Sequence, residues 1–164
     1  MQLKLLLFFI GWMTAGYVFP DLETVRQDYR KASVSEEATK TLYDDLTAIG
    51  QNDAPVLVAY KGAVTTMMAE YAEGIKNKKS FFKEGRDLLE YAIETEPKNV
   101  EIRCIRLSVQ ENVPKITGYH KNKDEDKQFV LDNYSSIEDK GAKEFVKGFA
   151  SQSESFTDAE RQLF

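Results

Sequence analysis

The chain has 164 residues, 42% of them hydrophobic and 30% charged, the make-up of an ordinary globular domain built on one core. Its net charge is −5, from 22 lysines and arginines against 27 acids, and no run of five or more basic residues occurs. That balance argues against nucleic acid as a partner. A single cysteine, Cys104, allows no internal disulfide. Set between Ile102 and Ile105, it is expected as a small buried hydrophobe.

The first residues differ from the rest. Lys4 is followed by an apolar run from Leu5 to Met13, then by the small residues Thr14, Ala15 and Gly16, and Pro20-Asp21 opens polar sequence. A basic start, a short apolar core and small residues form the pattern of an export signal, expected to be cut after Gly16 or Val18. Export places the remainder in the bacterial periplasm or outside the cell. The alternative is an uncleaved anchor, since residues 3–19 reach the lower limit of about 17 residues for a spanning helix. Three segments follow: 1–19 as signal or anchor, 20–150 as a helical domain, and 151–164 as a polar C-terminal tail.

After Pro20 the apolar residues recur at helical spacing, and alternating strand patterns are scarce. Leu22, Val25 and Tyr29 make a first stripe. Ser33-Val-Ser-Glu36 has capping-box spacing and predicts a second helix start. Ala38, Leu42, Leu46 and Ile49 line its face, with Gly50 as the stop. Pro55 suits the first turn of a third helix, where backbone N–H groups lack partners anyway. Its stripe is Leu57, Tyr60, Val64, Met67, Tyr71 and Ile75, and the mid-helix Gly62 predicts a close helix–helix approach.

Asn77 to Ser80, with Lys76, Lys78 and Lys79 around it, is expected as a solvated turn. Phe81, Phe82, Gly85, Leu88, Leu89, Ala92 and Ile93 then form a fourth helix that ends before Pro97. Asn99 caps a fifth, which Val113-Pro114 halts after Asn112. Pro114 to Lys123 is a loop. Asn122-Lys-Asp-Glu125 repeats the cap spacing ahead of Phe129, Val130 and Tyr134. A seventh helix runs from Asp139 through Ala142, Phe145, Val146 and Phe149. The polar tail from Ser151 is expected to fray, with a short helix as the alternative from Thr157 to Phe164. The expected fold is all-α, an irregular bundle of about seven helices.

Gly85, Leu89, Ala92 and Pro97, with Asn99 behind them, follow the small, large, Ala, Pro order of the second helix of a tetratricopeptide repeat. The segment therefore resembles one such helix pair, without a repeat array. The resemblance implies tetratricopeptide-like packing in the middle of the bundle and a protein partner. Glu101-Ile-Arg103, Arg106-Leu107, Gln110-Glu-Asn-Val-Pro114 and Tyr119 also give the chain a likeness to small exported helical proteins of bacteria. That likeness implies no activity.

The fifth helix is apolar on two sides, with Val100, Cys104 and Leu107 on one and Ile102, Ile105 and Val109 nearly opposite. It is expected at the centre. Arg103, Arg106 and Gln110 then lie on a narrow polar strip between buried faces, and guanidinium groups placed there require acidic partners. Two readings are open. Either the arginines pair internally with acids such as Glu84, Asp87 or Asp126, or they face a cleft and grip the carboxylate or phosphate of a small ligand.

Other chemistries find less support. His120, the only histidine, sits in a polar loop where an exposed, idle ring is expected. One His and one Cys are too few for zinc, and Asp124-Glu-Asp126 lacks the glycine turn of a calcium loop. No cofactor or metal site is expected. The reading that follows is a non-catalytic protein-interaction module with an unidentified protein partner, and not an enzyme. The alternatives are an anion-binding protein using Arg103 and Arg106 and, more weakly, an envelope hydrolase built on paired carboxylates.

Overall fold

The structure is a computed structural model that describes residues 20–164. The export or anchor reading concerns residues 1–19 and lies outside the described residues. Among the described residues there are eight α-helices and no strand. The helices are α1 (Leu22–Ala32), α2 (Glu36–Asp45), α3 (Pro55–Tyr71), α4 (Gly74–Thr95), α5 (Val100–Asn112), α6 (Lys123–Asn133), α7 (Lys140–Gln152) and α8 (Asp158–Arg161). The fold is an all-α helical bundle.

Local sequence starts most of these helices. Asp21, Asn99 and Asp139 accept the backbone N–H three residues on, at 3.1, 3.1 and 2.7 Å, and so cap α1, α5 and α7. Pro55 opens α3 as expected. The cap of α2 is Ser35 rather than Ser33: the Ser35 hydroxyl accepts from Ala38 N at 3.3 Å, while Ser33 closes α1 and donates to the Arg30 carbonyl. Asn122 stands at the N-cap position of α6, but its amide donates to Glu125 at 3.0 Å instead of accepting from the backbone.

Two boundaries depart from expectation. Helix α2 ends at Asp45, before Gly50, because the Lys61 ammonium on α3 draws the Thr47 and Ile49 carbonyls into hydrogen bonds. Leu46 and Ile49 are still buried on that unwound turn. The reversal between α3 and α4 is shorter than expected, since Gly74 takes φ +76 and turns the chain at once. Residues 77–80 are therefore helical, and Asn77 donates to the Glu73 carbonyl at 2.9 Å. Ile75, expected on the stripe of α3, stands on α4 instead and is 74% exposed.

Helices α3 and α5 form the centre. Helix α3 packs on α1, α2, α4 and α5, and α5 packs on α3, α4, α6 and α7. Both expected faces of α5 are buried, and so are Arg106 and Gln110 on the strip between them and Glu101 and Ser108 on the opposite side of the helix. Tyr29, Tyr60 and Phe145 stack edge-on or tilted in the core, with ring centres 5.2 to 6.1 Å apart. The close approach expected at Gly62 is present. A Cβ there would lie 2.8 Å from the Gly85 carbonyl and 2.9 Å from Leu89 N, so α3 and α4 cross glycine on glycine.

The C-terminal residues expected to fray are instead strapped to the bundle. Phe156 is buried, Phe164 meets Tyr134 and Phe156 at 4.8 and 5.2 Å, and Glu111 accepts from Ser153 Oγ and Ser155 N at 2.5 and 2.8 Å. Thr157 and Glu160 cap the short α8 reciprocally.

Candidate functional site

Arg103 and Arg106 project from consecutive turns of α5 toward α6, and both reach the same carboxylate. Arg106 grips Asp126 side-on, Nε to Oδ2 at 2.6 Å and Nη2 to Oδ1 at 2.7 Å, while its Nη1 donates to Glu90 on α4 at 2.8 Å. Arg103 Nη1 donates to Asp126 Oδ1 at 2.8 Å and to Glu125 at 2.9 Å, and its Nε donates to the Pro97 carbonyl. The Arg103 guanidinium also stacks 5.0 Å above the centre of the Phe129 ring. Tyr119, from the α5–α6 loop, donates its hydroxyl to the other oxygen of Glu90. Asp126 is fully buried and Arg106 is 3% exposed.

Of the three acids expected as partners, Asp126 takes that role. Glu84 does not contact either arginine, and Asp87 pairs with its neighbour Arg86 at 2.7 Å on the exposed side of α4. Burial works to strip the Arg106 proton, but the hydrogen bond and charge of Asp126 overcome it and hold the guanidinium above its ordinary range. Tyr119 is pushed well up by burial, reinforced by its bond to Glu90, and so stays a hydroxyl donor. An incoming anion would have to displace Asp126, leaving a carboxylate unpaired inside the bundle.

A second ionic joint sits on the same central helix and was not legible in the sequence. Arg26 of α1 grips Glu101 of α5 through Nε and Nη2 at 2.7 and 2.8 Å, and its Nη2 also reaches Asp139 at 2.7 Å. Tyr60 on α3 donates to Glu101 at 2.7 Å. The bond to Glu101 holds the Arg26 guanidinium above its ordinary range against the pull of burial. Asp139 is lowered by the Ala142 N–H it caps and, beyond that, by Arg26. The available signal was the placement of Arg26 beside Val25 and Tyr29 on the inward face of α1.

The remaining reactive side chains sit apart from these joints. Cys104 is fully buried, and burial pushes its thiol well above the ordinary range, away from thiolate chemistry. His120 is half-buried rather than exposed, and its Nε2 is shielded without a hydrogen-bond partner. No group of three or more His, Cys, Asp or Glu side chains is placed to hold a metal ion among the described residues. A shallow depression on the outer face of α2 is lined by Glu36, Glu37, Lys40, Thr41 and Asp44. Its acids lie side by side on one helix, and Glu36 is paired with Lys40 at 2.6 Å.

Comparison with protein families, with curated proteins and with solved structures found no match for this chain. No helix among the described residues is long and apolar enough to cross a membrane.

Proposed function

We propose that the protein is an exported, non-catalytic interaction module: a rigid helical scaffold that offers its outer helix faces to a protein partner. The observation that carries this reading is the closure of the arginine site. Arg103 and Arg106 share the fully buried Asp126, so the side chains best suited to grip a small anion already hold the bundle together. The glycine-on-glycine crossing of α3 and α4, with Leu89 and Ala92 buried behind it, supports a tetratricopeptide-like pair in the middle of the bundle. Export is supported by Lys4, the apolar run Leu5 to Met13 and the small residues behind it.

A thermal-shift panel of carboxylate and phosphate metabolites, run beside cross-linking in envelope fractions, tests the proposal. The expected result is an unchanged melting temperature with every small anion and repeated capture of one protein. A metabolite that raises the melting temperature in wild type but not in Arg103→Met would replace this reading with anion binding. Turnover of a glycoside or ester substrate, lost on removal of one carboxylate, would replace it with a hydrolase.

A further inference from the structure

The lysines at one end of the molecule are treated quite differently from the buried arginines. Residues 74–83, the first turns of α4, and residues 115–123, the α5–α6 loop with the first residue of α6, contain seven lysines and no acid: Lys76, Lys78, Lys79 and Lys83, then Lys115, Lys121 and Lys123. None of them forms an ion pair among the described residues, although acids outnumber bases in the chain. All are exposed except Lys123, which is half-buried.

The fold brings the two stretches together. On α4, Ile75, Lys78, Lys79 and Phe82 share a face at helical spacing. Phe82 on that face meets Tyr119 of the loop edge-on, ring centres 6.0 Å apart.

Each of the two stretches carries one protruding aliphatic side chain. Ile75 is 74% exposed near the tip of the α3–α4 hairpin. Ile116 is 96% exposed on a 3-10 turn, Lys115–Thr117, which Gly118 closes at φ +68. That turn is built, with Thr117 Oγ1 donating to the Pro114 carbonyl at 2.8 Å. Isoleucine held out on an ordered turn gains nothing from folding.

The lysines also break a local rule. The N-terminal end of a helix is its positive end, where acids are favoured and cations cost stability. The first turn of α4 holds no acid, and its cap residue Glu73 makes no side-chain bond to the free N–H groups. Lys78 Nζ donates to the Glu70 carbonyl at the end of α3 at 3.1 Å. But Lys76, Lys79 and Lys83 have no side-chain partner among the described residues, and their placement marks a surface kept for something outside the molecule.

We infer that this end of the bundle docks on an anionic membrane surface, the lysines facing lipid headgroups while Ile75 and Ile116 enter the acyl boundary. Unpaired lysines around isolated aliphatic tips suit a fluid anionic interface. A protein partner would call instead for a contiguous apolar patch with a central anchor. This inference goes beyond the interaction role and stands separately from it.

The test is co-sedimentation of the full chain with phosphatidylcholine vesicles, with and without phosphatidylglycerol. Neutral vesicles report any contribution of the apolar N-terminal segment. Phosphatidylglycerol is expected to strengthen binding, and added salt to weaken it. The exposed double variant Lys76→Glu with Lys79→Glu is expected to lose about tenfold or more of the anion-dependent part. Ile116→Ser, on the other stretch, is expected to lose several-fold with the salt dependence kept. Equal binding to both vesicle types, or wild-type anion dependence in the folded double variant, would overturn the proposal. So would binding of polyglutamate, but not of vesicles, that the same variants abolish, which would point to an acidic protein.

Discussion

The α5–α6 joint and the lysine-bearing end of α4 handle positive charge in opposite ways. At the joint, two arginines converge on one buried carboxylate, and each group has a partner within 2.9 Å. At the start of α4, Lys76 and Lys79 stand in solvent without a side-chain partner among the described residues, near the positive pole of their own helix. The difference is one of cost. A buried guanidinium without an acid is expensive enough to threaten the fold, so its pairing is structural. An exposed ammonium costs little either way, so its placement is free to serve something other than stability.

Breaking the joint should have the largest effect. Asp126→Ala leaves two guanidinium groups facing an empty site and is expected to lower the unfolding free energy by about 3–5 kcal/mol in urea titration. Gly85→Ala comes next. Its new Cβ would lie 2.6 Å from Thr66 N and closer still to the Gly62 carbonyl, backbone atoms that cannot step aside. A loss of about 1–3 kcal/mol is expected from that overpacking. The pair Lys76→Glu and Lys79→Glu sharpens the contrast, since thermal unfolding should show it neutral or stabilised by up to about 1 kcal/mol as acids replace unpaired cations near the helix start.

The smallest effect concerns pH. Glu160 is held at about 2, against its usual 4.5, chiefly by Lys127 and then by the Thr157 N–H. A lowered acid contributes stability above its unfolded pKa and loses it as pH falls through the folded one. A fall in hydrogen-exchange protection across residues 156–163, after correction for the intrinsic rate at each pH, is therefore expected between pH 4.5 and about 2, ahead of any change in α5.

Legibility followed how local each determinant is. The two-faced burial of α5 and the caps at Asn99 and Asp139 depend on residues within a turn or two, and sequence spacing exposes them. Asp126 was among the acids expected to meet the arginines, because a central strip bearing two cations must find an acid on a neighbouring helix. Glu90 was not, since which turn of α4 faces Arg106 is set by the Gly62–Gly85 crossing rather than by local pattern.

The Arg26–Glu101 pair joins residues 75 apart in the chain, and no periodicity signals such a contact. The α3–α4 turn was misplaced because a lysine-rich stretch with Asn77 looks like a loop, whereas one glycine at positive φ suffices to reverse the chain. The tail looked polar by residue count. Phe156 and Phe164 are few, but they bury enough ring to hold it.

The central claim is that the arginine pair on α5 secures the bundle and is not an empty ligand site. A double-mutant cycle between Arg106→Met and Asp126→Ala, read by urea unfolding, tests it most directly. Each single change should cost several kcal/mol, and the double should lose less than their sum by about 0.5–3 kcal/mol. Arg106→Met within about 0.5 kcal/mol of wild type, with no coupling to Asp126, would contradict it.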